Sequence, residues 1–122
     1  MKRVDANIIL RYLLADHPEF TERATRIMET ESVTISCEVI CEVVYVLGGV
    51  YEVTRDEISN KLSELVKFEN VETADTDVLC CAFGTFAKKN VDFVDALLFA
   101  HHHLHGDQVY TFDKKLNRLI GI

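Results

Sequence analysis

The stretch "SCEVICEVVYVLGG", residues 36–49, decides the fold. Its Val and Ile content would suit a strand on propensity alone. Its apolar positions argue otherwise, because Val39, Ile40, Val43, Val44 and Leu47 recur with the 3.6-residue period of one helical face. The stretch therefore reads as a helix over 37–47, stopped at Gly48 and Gly49 and fed by a short apolar strand at 33–35.

The same strand-then-helix unit repeats outward. Upstream, a very short strand near 2–4 leads into a helix over 6–14. Asp16, with Glu19 three residues on, forms a capping box for a second helix that ends near Thr30. Downstream, Thr54 with Glu57 opens a helix toward Phe68, 71–73 form a third strand, and a helix follows over about 76–89. A further helix starts near Asp92 and stops around Gly106, a plausible residue to follow a helix end. The segment 109–111 then reads as a fourth strand, with a short helix from Lys114. Alternation of this kind implies the α/β class, a parallel sheet sandwiched between helices and joined by right-handed crossovers.

Bulk properties bound the rest. The 122 residues read as a single domain over 1–122, long enough to bury a core without disulfides. Apolar residues make up 48%, with one Pro and five Gly, which excludes disorder and low complexity. Arg11 interrupts "IILRYLL" and no small-residue cleavage site follows, so the N-terminus does not read as a signal peptide. No run approaches a membrane span, and the chain reads as cytoplasmic with no membrane partner. Cys37, Cys41, Cys80 and Cys81 contain no CxxC pair and read as reduced thiols rather than a zinc site. A net charge of −7 argues against broad, non-specific binding to nucleic acid. It leaves open a polyanionic substrate held through metal ions, which reverse the sign locally.

Four acids sit beside apolar segments where a charge is costly: Asp5, Glu42, Asp95 and Asp113. Ligand sites in open α/β sheets collect at the carboxyl ends of the strands. Asp5 follows the first strand and Asp113 the last, while Asp95 lies in the first turn of the helix that runs back into that last strand. Three acids are thus expected at one rim, a donor set suited to Mg²⁺ or Mn²⁺. Glu42 falls roughly 130° from the centre of its apolar stripe and Glu38 roughly 170° away, so spacing leaves the choice between them open. Each acid also has a plainer reading. Asp5 and Asp113 could be helix caps, Glu42 a solvated side chain, and Asp92 a cap with Asp95 as a first-turn acid. Asp75 and Asp77 read as a cap pair.

Four blocks carry a resemblance: "VDANIIL" at 4–10, "SCEVICEVVYVL" at 36–47, "DFVDALLFA" at 92–100 and "VYTFDKKLNRL" at 109–119. In order and spacing they resemble the PIN-domain ribonucleases, in particular the VapC toxins of bacterial and archaeal toxin–antitoxin pairs. The resemblance covers essentially the whole chain. It implies a three-layer α/β/α fold on a mainly parallel four- to five-stranded sheet. It also implies a Mg²⁺- or Mn²⁺-dependent endoribonuclease, dimeric and silenced by a cognate antitoxin. Matched by position, Asp5, Glu42, Asp95 and Asp113 are the catalytic, metal-holding acids, which settles Glu42 over Glu38. Asp92 matches an auxiliary acid, Thr111 a hydroxyl beside the site, and Asn7 the polar residue after the first acid.

Arg11 and Lys114 lie close enough in sequence to these acids to contact RNA phosphates, whereas Lys115 and Arg118 read as a solvated helix face. "HHHLH" at 101–105 places His101 and His105 on one face, and a structural role near a helix end is preferred to zinc. A different function class is a non-catalytic PIN-fold binding subunit, its acids serving as caps while an apolar surface docks a protein. A phosphotransfer pocket fits poorly, since Asn7 stands where a second Asp is needed.

Overall fold

The computed structural model describes residues 1–121. Three two-residue strands, β1 (Lys2–Arg3), β2 (Val33–Thr34) and β3 (Val71–Glu72), form a parallel sheet in the order β1-β2-β3. Lys2 pairs with Val33 and Val33 with Val71. Beyond the paired residues, Ile35 N–H still donates to the Glu72 carbonyl at 2.9 Å. The helices are α1 (Ala6–Leu14), α2 (Pro18–Thr30), α3 (Cys37–Gly49), α4 (Arg55–Val66), α5 (Thr76–Lys88), α6 (Phe93–His105) and α7 (Lys114–Leu119). Residues 37–49 are helical as the period requires, and Ile40, Val43, Val44 and Leu47 are buried.

Three expectations need correction. The second helix starts at Pro18, and its cap is His17, whose Nδ1 accepts from Phe20 N–H at 3.3 Å; Asp16 instead pairs with Arg11 at 2.8 Å. Proline suits the first helical position and forces its predecessor out of helical geometry, which outweighs a capping box one residue earlier. The helix over 37–49 also runs through both glycines that were expected to stop it.

The larger correction is the fourth strand, because no strand forms at 109–111 among the described residues and the sheet has three strands. The local alternation is present: Val109 and Thr111 are half-buried, while Tyr110 and Phe112 are 88% and 105% exposed. The backbone is committed elsewhere. The Thr111 carbonyl accepts from Asn117 Nδ2 at 3.1 Å, and its hydroxyl accepts from Asp113 N–H at 3.0 Å. Such side-chain bonds compete directly with a strand ladder.

One continuous core holds the elements together, with Phe83, Ile9, Met28, Ile35 and Leu47 among its fully enclosed side chains. The α5–α6 pair is sealed by aromatics: Phe83 stacks on Phe93 at 5.3 Å between centroids, and Phe86 meets Phe93 edge-on at 5.9 Å. Asn70 ties the entry of β3 to the end of α2, its Nδ2 donating to the Met28 and Glu31 carbonyls at 2.8 and 2.7 Å. Asn70→Ala leaves both carbonyls part-buried and unpaired. It should lower the urea midpoint by an amount worth about 1–3 kcal/mol without changing the slope. An unchanged midpoint would show that water replaces the amide at no cost.

All four cysteines are free thiols. Burial first, and Cys37 second, push the Cys41 thiol up to about 11, so it is not a ready nucleophile. No described helix is long and apolar enough to cross a membrane.

Candidate functional site

The carboxyl end of β1 and the N-terminal ends of α6 and α7 carry the acids. Asp5 caps α1, its Oδ1 accepting from Ile8 N–H at 3.1 Å. Asp113 caps α7 in the same way, with Leu116 N–H at 2.8 Å. The capping role weighed for both is therefore made, but by one oxygen each. Asp75 differs: its Oδ1 caps α5 through Val78 N–H at 3.0 Å and its Oδ2 contacts His105 Nε2 at 2.9 Å. Both oxygens of Asp75 are committed, and those two bonds hold its carboxyl below the usual range.

Asp92 occupies the cap position of α6 with extended backbone, yet its side chain makes no cap hydrogen bond. Asp92 thus holds the expected cap position through its backbone, its carbonyl accepting from Ala96 N–H at 3.0 Å, while its carboxylate is not used as a cap. One helical turn on, Asp95 is half-buried. Its carboxyl is held above the usual carboxylate range by desolvation, then by the negative charges of Asp113 and Asp92. No Lys or Arg pairs with it among the described residues.

The structure thus brings Asp113 and Asp92 each within electrostatic reach of Asp95, although the strand that was to deliver Asp113 is missing. Thr111 and Asn117 hold that loop instead. Asp5, Asn7 and Glu42 are exposed; Asp5 and Asn7 line an open cavity at the end of β1, and Glu42 projects from the second turn of α3. As the side chains lie, no three Asp, Glu, His or Cys residues among those described converge on one point where a cation could sit.

The donors nevertheless suit a hard divalent cation. All are carboxylate oxygens, Asp5 and Asp113 each keep an oxygen outside their cap bond, and Asp95 bears an uncompensated like-charge burden that a cation would relieve. Mg²⁺ keeps several waters and is commonly held by one or two carboxylates plus substrate phosphates, so it does not require an all-protein cage.

Arg11 donates through Nη1 to Asp16 at 2.8 Å and through Nη2 to the Tyr51 hydroxyl at 2.9 Å, while Lys114 is exposed at the first position of α7. His101 and His105 face Asp107 and Asp75 at 3.8 and 2.9 Å near the C-terminal end of α6. Arg3, Arg23 and Phe20 share the cavity with Asp5 and were not anticipated. Their signal was available: Ile8 and Arg11 on one helix, and Phe20, Arg23 and Ile27 on the next, follow helical spacing.

Neither a curated protein nor a solved structure gives a match to this chain. The sequence does match the PIN domain family over residues 3–121, nearly its full length. With that extent of match on a mixed helix–strand fold with a parallel sheet, the chain belongs to the PIN domain family.

Proposed function

We propose that this protein is a Mg²⁺- or Mn²⁺-dependent endoribonuclease, the toxin of a type II toxin–antitoxin pair, working in the cytoplasm as a homodimer restrained by a cognate antitoxin. PIN domains are generally nucleases, which supports the hydrolase part of this reading. The observation that carries it is the juxtaposition of half-buried Asp95 with Asp92 and Asp113, without a basic side chain paired to it. A fold does not gain stability from gathering like charges, so the arrangement points to a task outside folding.

In this reading Asp95, Asp113, Asp5 and Glu42 hold the cation. Asp92 adds negative charge at the rim, and Thr111 fixes the backbone that aims Asp113. A bound divalent ion would polarise the phosphodiester and lower the pKa of a water for in-line attack. The chain supplies the carboxylates, their spacing and a part-desolvated setting that strengthens attraction for a cation.

Purified protein incubated with structured RNAs plus Mg²⁺, Mn²⁺ or a chelator tests the proposal. Asp5→Asn is the informative variant, because Asn caps a helix as well as Asp does and the fold is kept. Cleavage should fall by about 10²-fold while Tm moves within about 2 °C, since the loss is of a charged ligand rather than of a cap. Equal cleavage by Asp5→Asn and wild type would remove Asp5 from the chemistry, and metal-independent cleavage or none by wild type would favour a non-catalytic, protein-docking role.

A further inference from the structure

The cavity beside Asp5 is an open groove of about 480 Å³ between α1 and α2. Its walls carry Arg3, Arg11 and Arg23, three of the 13 basic residues in a chain whose net charge is −7. The three differ in availability. Arg11 is tied to Asp16 and Tyr51, so it forms a fixed basic wall. Arg3 and Arg23 are exposed, and neither forms an ion pair among the described residues. Phe20 also lines the groove, with one ring face covered by His17 at 4.4 Å and an interplanar angle of 18°, and it is still 47% exposed. Guanidinium groups beside an exposed, already stacked aromatic form the combination that holds single-stranded nucleic acid, phosphates on the cations and a base on the ring.

We propose that this groove seats the single-stranded RNA flanking the cleaved phosphate, with Arg3 and Arg23 on backbone phosphates and Phe20 stacked on a base. The inference rests on the ribonuclease reading and adds where the substrate lies. Continuity decides for RNA over an acidic peptide. Asp5 forms part of the same wall, so a strand presenting its phosphate to Asp5 must pass the arginines, and Phe20 offers a flat face on which a base can stack. The groove also reconciles an acidic protein with a polyanionic substrate, because the favourable charge is local.

The test is fluorescence anisotropy with a labelled single-stranded oligoribonucleotide of about ten nucleotides, in chelator so that binding is read without cleavage. Arg3→Ala and Arg23→Ala should each weaken binding and each lower the slope of log affinity against log salt by about 0.7. Phe20→Ala should weaken binding roughly 5- to 100-fold with the slope unchanged. All three residues are exposed, so Tm should stay within about 2 °C of wild type. Wild-type affinity and slope in all three variants, or no binding by wild type, overturns the groove. So does displacement of the RNA by poly-glutamate with no effect of Phe20→Ala, which assigns the arginines to a protein partner. Adding Mn²⁺ separates the two readings. Groove-dependent binding without cleavage removes the nuclease and keeps the groove, and cleavage indifferent to all three variants does the reverse.

Discussion

Asp95→Asn should be more stable than wild type and close to inactive. In the absence of divalent cations, the folded chain holds Asp95 half-buried against Asp113 and Asp92, and its carboxyl titrates above the usual range. The sign follows from proton counting. Between the ordinary carboxylate pKa and the raised one, the folded state binds more protons than the unfolded state, so stability falls as pH rises through that window. Above it the penalty is complete. Asn removes the charge with little change in shape, so the variant should melt about 1–3 °C higher at neutral pH, a gain of the size found at part-exposed sites. That advantage should fade as pH drops below the ordinary carboxylate range, where wild type is protonated in both states. Divalent cations should raise the wild-type Tm and leave the variant almost unmoved. RNA cleavage should fall by about 10³-fold, the upper end for losing one charged group from a preorganised site. A variant that melts lower than wild type at neutral pH, or cleaves normally, would remove Asp95 from the centre of the site.

Helices were legible where local chemistry decides them. Thr54 and Asp75 cap as read, accepting from Glu57 and Val78 N–H, and Gly106 ends α6 at φ 72°. Two local signals competed at the start of α2, and Pro18 outranked Asp16. The fourth strand was misread for a different reason. Its alternation is local and real, but a strand exists only through its partner, and Asn117 takes the Thr111 carbonyl first. The site divides along the same line. The approach of Asp95 to Asp113 was expected from a strand at 109–111 that does not form, and it is the loop held by Thr111 and Asn117 that sets Asp113 where its charge reaches Asp95. The groove of Arg3, Arg23 and Phe20 depends on how α1 lies against α2, which no single segment encodes. That Asp92 caps α6 without its side chain is likewise invisible in sequence, since its residue type and position suit the cap place it takes and say nothing of where its carboxylate points.

Arg55→Ala should be among the most destabilising surface changes in the chain. At the first position of α4 a cation is disfavoured by its own helix dipole. The neighbouring α5 reverses that sign, because the guanidinium reaches its C-terminal end, where carbonyl oxygens gather. Nη1 donates to the Val91 and Phe86 carbonyls at 2.7 and 3.0 Å, with a longer contact to Lys89 at 3.3 Å. The guanidinium carbon lies 4.1 Å from the centroid of the Phe86 ring. Hydrogen bonds from a charged donor contribute about 1.5–3 kcal/mol and a cation–π contact about 0.5–1 kcal/mol, so Ala should lose roughly 2–4 kcal/mol. At about 3–5 °C per kcal/mol for a chain of this size, Tm should drop by roughly 6–20 °C. Arg55→Lys keeps the charge but not the flat group over Phe86, and should recover only part of the loss. The consequence extends to chemistry. The turn that Arg55 clamps runs from the end of α5 into Asp92 and Asp95, and Lys115 of α7 also donates to Asn90 within it. Loosening this turn moves two acids relative to Asp113, so divalent-dependent cleavage should fall even at temperatures where Arg55→Ala remains fully folded. Full activity in a folded but destabilised variant would confine Arg55 to stability, and an unchanged Tm would refute the clamp altogether.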